Sequence, residues 1–211
     1  GAVVCAIIAF CALSGVVIAA SAAEPVTYID RTWDEKTKTV KEEIKTFAEC
    51  KSLTSSRLKN GLGKKGEEKW YVLDSDLVYK FKDPIYINGN VHLILKDGCV
   101  LTQKTYYVIE HLRICVKPGS TLTIYSQQEG TGKIDKLEGN STRSGIHVPK
   151  RATLNIKGGT IDAEGTSGGA GIGGDKGEAA GEINIFGGMV FAKGGKYGAG
   201  IGGGDEGAGG N

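Results

Sequence analysis

Charge of one sign is what this 211-residue chain most plainly lacks: 26 Lys and Arg face 24 Asp and Glu, for a net charge near +2. That balance removes any global electrostatic reason to expect nucleic acid or an acidic membrane as a partner. Proline is also scarce, with 4 residues against 34 glycines. Most of the glycine lies beyond Gly165, and no strict Gly-x-y triplet runs through it, so collagen is excluded. No CxxC pair and no Cys/His metal spacing is present, which argues against a structural zinc site. Apolar residues make up 40% of the chain, enough for a core and too many for general disorder. What remains is a repeat protein whose turns need glycine.

The one long apolar run is at the start. Residues 2–20 carry no charge, and Ala20-Ser21-Ala22 comes next with small residues at the spacing a signal peptidase reads. A secretory leader over 1–23 is expected. The rival is an uncleaved anchor, since roughly 20 apolar residues suffice to span a bilayer. Neither Cys5 nor Cys11 has the surroundings of a lipidation site. With no initiator Met and no basic n-region, the sequence is expected to begin inside a longer reading frame. Cys50, Cys99 and Cys115 lie beyond the leader, and an odd count in an exported chain leaves a thiol free or intermolecular.

Aligning the chain with itself is the informative step. Leu154-Asn-Ile-Lys-Gly-Gly159 recurs as Ile183-Asn-Ile-Phe-Gly-Gly188, and Gly169-Ala-Gly-Ile-Gly-Gly174 as Gly198-Ala-Gly-Ile-Gly-Gly203, both 29 residues apart. Leu122-Thr-Ile124 and Leu93-Ile-Leu95 take the same place upstream. A second column, Ile85-Tyr-Ile87, Ile114-Cys-Val116 and Ile146-His-Val148, starts 8 residues before each of these. A third keeps an interval of 7 from Gly139, Gly165 and Gly194 to the following Ile. Each copy thus holds about three short alternating strands with glycine corners. The fold class is all-β, a right-handed parallel β-helix with coils of about 29 residues stacked at roughly 4.8 Å. Leu93/Leu122/Leu154/Ile183 and Val100/Ile134/Ile161/Val190 are the expected inward columns, with Thr123, Asn155 and Asn184 as an outward polar ladder.

The same spacing puts the next core strand near position 212, just past Asn211, so the β-helix over 70–211 is expected to be truncated. Residues 24–69 form an N-terminal cap or linker, with Val40, Ile44 and Phe47 at a loose helical spacing.

The ordered series Arg31-Thr-Trp-Asp34, Trp70-Tyr-Val72, Val91–Thr102, Ser120–Tyr125 and the two Gly-Ala-Gly-Ile-Gly-Gly blocks resembles a family of glycine-rich secreted or surface proteins of anaerobic, gut-type bacteria. Their repeats are often labelled carbohydrate-binding or adhesin-like. The resemblance covers about residues 31–211. It implies export, a right-handed parallel β-helix and further domains on a longer chain. It carries no catalytic residues.

Several motifs bear on chemistry. Both Gly-Ala-Gly-Ile-Gly-Gly blocks satisfy the dinucleotide fingerprint. Glycine interrupts the residues after each block too often for the helix that binding requires, so no nucleotide is expected. Asp175 and Asp205, on glycine-rich loops, are weak calcium candidates. Glu138 and Glu164 both precede an aligned glycine and should sit in adjacent coils near Asp135 and Asp162, where like charges raise a pKa or ask for a cation. Tyr86, Cys115 and His147 form one outward column; a Cys–His dyad there lacks a visible third partner. Tyr86 and Phe191 should point outward as glycan contacts, and Tyr106, Tyr107 and Tyr125 are further aromatics.

The expected function is an exported, secreted or cell-surface β-helix module for adhesion or polysaccharide binding, with no catalysis. A polysaccharide or host or cell-surface glycan is the expected partner, and calcium the one cofactor weighed. A calcium-dependent polysaccharide lyase or hydrolase and a structural spacer are the alternatives.

Overall fold

The computed structural model describes residues 24–103, 112–139 and 141–210. The expected leader, Cys5, Cys11, Tyr106 and Tyr107 lie outside them. The chain opens with an antiparallel hairpin, β1 (Val26–Asp34) and β2 (Thr39–Phe47). A short strand β3 (Lys51–Ser52) and one helical turn and a half, α1 (Ser55–Asn60), come next. Thr54 caps α1 by accepting a hydrogen bond from the Arg57 N–H at 3.2 Å. Gly61, at φ 81°, ends it.

From there the chain winds as a β-solenoid of about five turns, with coils of about 29 residues. The first coil is β4 (Leu62–Leu73) and β5 (Leu77–Tyr79); the second is β6 (Ile85–Leu95) and β7 (Val100–Gln103). Three later coils have three strands each. These are β8 (Ile114–Val116), β9 (Thr121–Ser126) and β10 (Lys133–Glu138); β11 (Ile146–His147), β12 (Thr153–Ile156) and β13 (Thr160–Glu164); and β14 (Ile172–Gly173), β15 (Glu182–Ile185) and β16 (Met189–Lys193). β17 (Ile201–Gly202) starts another.

Within the solenoid the strands pair in parallel with their equivalents one coil away, giving three faces: β6-β8-β11-β14-β17, β4-β6-β9-β12-β15 and β5-β7-β10-β13-β16. Alternation sends every second side chain inward. Ile114, Ile146, Ile172 and Ile201 stack on one face, and Leu122, Leu154 and Ile183 on the next.

Two inward columns differ from the sequence reading. Leu93 lies opposite Ile124, and Val91 opposite Leu122. Leu101, not Val100, stacks on Ile134. The first is a slip of two residues, which keeps the same face inward and so leaves no trace in the hydrophobic pattern.

The glycines of the third column have a common cause. A Cβ at Gly139, Gly165 or Gly194 would meet the carbonyl oxygen of the residue four positions later, at 1.7, 2.2 and 2.1 Å. The corner closes only where no side chain exists.

The solenoid takes in residues 62–69 as part of β4, and residues 24–61 are bound to this frame at two places. Leu53 and Leu58 are buried in one core with Leu62 of the first coil and seal its N-terminal end. The hairpin lies over the outward face of β4, β6 and β9, where Tyr28, Val26, Val72, Ile94 and Tyr125 make a second small core with Phe47 and Trp70. Residues 39–47, with the loose helical spacing, are therefore a strand: Val40 and Ile44 are exposed on it, and its partner β1 supplies the burial. Lys157 donates to Asp30 at 2.5 Å and Arg31 to the Lys157 carbonyl at 2.6 Å, tying the hairpin to the turn after β12. Tyr125, an outward aromatic, is thereby covered. No helix among the described residues is long and apolar enough to cross a membrane.

Candidate functional site

The face β6-β8-β11-β14-β17 carries one outward column, Tyr86, Cys115, His147, Gly173 and Gly202. Its side chains end at His147 because the next positions must be glycine. Gly173 and Gly202 have φ of 139° and 135°, and a Cβ on Gly173 would lie 1.9 Å from the Gly202 carbonyl oxygen. Beyond that bare step the loop after β14 turns back and delivers Asp175 and Glu178 beside the imidazole. His147 Nε2 lies 2.7 Å from Glu178 Oε2 and 3.9 Å from Asp175 Oδ2.

Asp175 is held from behind. Its Oδ1 accepts from Arg113 at 2.8 Å and from both the backbone N–H and the hydroxyl of Ser144, also at 2.8 Å. Arg113 precedes β8 and is 1% exposed, while Asp175 is half-buried, so the guanidinium has a strong need of its carboxylate partner. Burial alone would raise the Asp175 carboxyl, but the Arg113 guanidinium and the Ser144 N–H hold it below the usual carboxylate range. These groups border a groove of about 500 Å³, with Tyr86, Lys117 and Arg143 along its rim. Tyr86 is 36% exposed and Lys117 Nζ sits 3.9 Å from its ring centroid, a cation–π contact.

The chemistry open to this groove is constrained. Cys115 is buried, its thiol is pushed up by that burial, and no hydrogen bond joins it to His147. A nucleophilic thiol needs the opposite environment. The imidazole's partner is Glu178, the third group that the column alone did not reveal. The trio His147, Asp175 and Glu178 offers one nitrogen and two carboxylate oxygens within 4.8 Å of one another, a set able to hold a metal ion.

The acidic residues singled out from the repeat lie on a different face, β10-β13-β16. Glu138 is opposite Glu164 in the adjacent coil, as the aligned glycines imply. Lysines accompany the others: Lys193, one coil on, binds Glu164 at 2.5 Å, and Lys133 binds Asp135 at 2.8 Å. Asp162 stands opposite Phe191, which is 54% exposed. Asp205 pairs with Lys176 at 3.1 Å, while Asp175 turns to Arg113, so the two calcium candidates do not share a site. The polar ladder forms: Asn155 donates to Thr123 at 3.2 Å and Asn184 to Asn155 at 3.0 Å. Cys50, Cys99 and Cys115 are all free thiols.

Sequence reasoning passed over Arg113, Ser144 and Glu178. Glu178 had no signal in the repeat, since the position one coil after His147 is Gly173 and Glu178 lies on the loop beyond it. Arg113 had none, since a buried arginine before a strand looks like any loop cation. No family model matches the chain, and no curated protein or solved structure is significantly similar to it.

Proposed function

We propose that this β-solenoid is a non-catalytic module of a secreted or cell-surface protein and that it binds polysaccharide along its flank. The observation that carries the reading is the groove beside β8 and β11, where the exposed Tyr86 ring and the Lys117 ammonium stand together at the rim. An aromatic face with adjacent cations suits a sugar ring bearing carboxylate or sulfate. Arg143 adds a second positive group to that rim. The rigid, coil-spaced scaffold favours a long repetitive ligand over a small one. Export enters from the apolar run at residues 2–20 and the small residues just beyond it. Against catalysis on the acidic face stand the lysine partners of Glu164 and Asp135.

The test is binding of the chain to a panel of neutral, uronic and sulfated polysaccharides, with and without calcium. Saturable binding to acidic members, no cleavage products, and loss in Tyr86→Ala and Lys117→Ala are expected. Failure to bind any member would leave the spacer as the surviving reading.

A further inference from the structure

We infer that His147, Asp175 and Glu178 form a binding site for a divalent transition metal of the zinc class, built between two coils of the flank. The inference does not rest on the saccharide reading.

The ligand atoms are already near coordination distances of one another. A metal at about 2.0–2.2 Å from each ligand requires donors roughly 3–3.5 Å apart. The imidazole nitrogen is 2.7 Å from one carboxylate and 3.9 Å from the other. The two adjustments run in opposite directions, each under an ångström. Glu178 is exposed and free to make its share, while Asp175 is fixed by Ser144 on Oδ1 and by Arg113 on both oxygens, with Oδ2 also 3.9 Å from the imidazole. A ligating carboxylate anchored by outer hydrogen bonds is the usual support of a metal site.

A second observation concerns Arg113. Its Nε, in a side chain that borders the groove and is 1% exposed, has no hydrogen-bond partner. A buried donor without an acceptor calls for one close by.

The donor set selects the metal. Calcium wants six to eight oxygens, more than two carboxylates and an imidazole provide. Imidazole with carboxylates suits zinc and its first-row neighbours.

The test is a calorimetric titration of the full chain with zinc alone, and with cobalt(II) monitored by visible absorption. One equivalent should bind to the wild type, with no sulfur-to-metal charge-transfer band. His147→Ala and Glu178→Gln should each weaken binding by about tenfold or more. Neither side chain is in the core, so circular dichroism should show both variants folded. Cys115→Ser should bind as the wild type does. Absence of wild-type binding, equal binding by the His147 and Glu178 variants, or loss only in Cys115→Ser would overturn the assignment. No saccharide is present, so failure here leaves the glycan reading untouched.

Discussion

The outermost strands of the solenoid and the strands stacked beneath them hold equivalent side chains in opposite environments. Ile172 is 0% exposed and Ile201, stacked on it one coil later, is 45% exposed. Ile156 and Ile185 differ in the same way, 0% against 44%. The sequence around each pair is nearly the same, so local pattern does not decide burial. The neighbouring coil does. At the other end Leu53 and Leu58 take the place of a neighbour, and the first coil's core is closed. A repeat of this kind cannot bury its own apolar face, and its stability is a sum of coil-to-coil interfaces plus whatever seals the ends.

The largest expected effect tests that contrast directly. Ile156→Ala, in the sealed middle of the stack, should cost about 2–5 kcal/mol through lost transfer energy and the cavity left behind. Ile185→Ala, its equivalent in the last complete coil, should cost about 1 kcal/mol or less. Urea denaturation of the two variants, with the slope checked for constancy, reads the difference. Equal losses would break the comparison, because they would mean that the face carrying Ile185 is covered in solution.

A smaller effect sharpens it from the sealed end. Thr54→Ala removes the oxygen that satisfies the Arg57 N–H at the start of α1. The expected loss is about 0.5–2 kcal/mol, accompanied by faster amide exchange in α1 and at Leu62. Unchanged exchange there would show that the apolar contacts of Leu53 and Leu58 hold the seal without the helix cap.

Much of the frame was legible in the repeat. The isoleucine column from Ile114 to Ile201 and the glycine corners at Gly139, Gly165 and Gly194 come from the period alone, because stacking forces equivalent positions into one environment. The slip at Leu93 was invisible for a physical reason: β6 runs unbroken through a corner that later coils mark with a turn, and a two-residue shift preserves alternation. The hairpin left no clear periodic signal at residues 39–47 because that strand is exposed along its length up to the half-buried Phe47, and the side chains packed on the solenoid are on β1. The site was half legible. His147 and Cys115 shared a column in the alignment, but Arg113, Ser144, Asp175 and Glu178 meet through loops whose paths the period does not dictate.

The last and smallest effect is one of pH, and it distinguishes the clamped region from the open one. His92 lies under the hairpin, stacked on Trp70 with ring centroids 4.1 Å apart and bonded to the Tyr125 hydroxyl at 3.0 Å. Burial lowers its pKa from the ordinary 6.5; Glu68 opposes that shift and Lys157 adds to it. The unfolded chain therefore binds a proton that the folded chain resists, and stability rises with pH across this window. The contribution is complete above about 6.5 and is lost as pH falls through the lowered folded value. Asp30 also contributes, but only in stronger acid. Burial would raise its carboxyl, the bonds from Lys157 and Lys45 outweigh that, and its window opens below 3.8. Below about pH 6.5, and above the range where Asp30 titrates, the loss should thus come from His92. In a Trp33→Phe background, Trp70 is the single tryptophan and reports the clamp by fluorescence. It should change on acidification while the amides of β15 and β17 do not, and His92→Gln should abolish the change. A fluorescence response that survives His92→Gln would place the acid sensitivity elsewhere, and the clamped end would then owe its stability to packing alone.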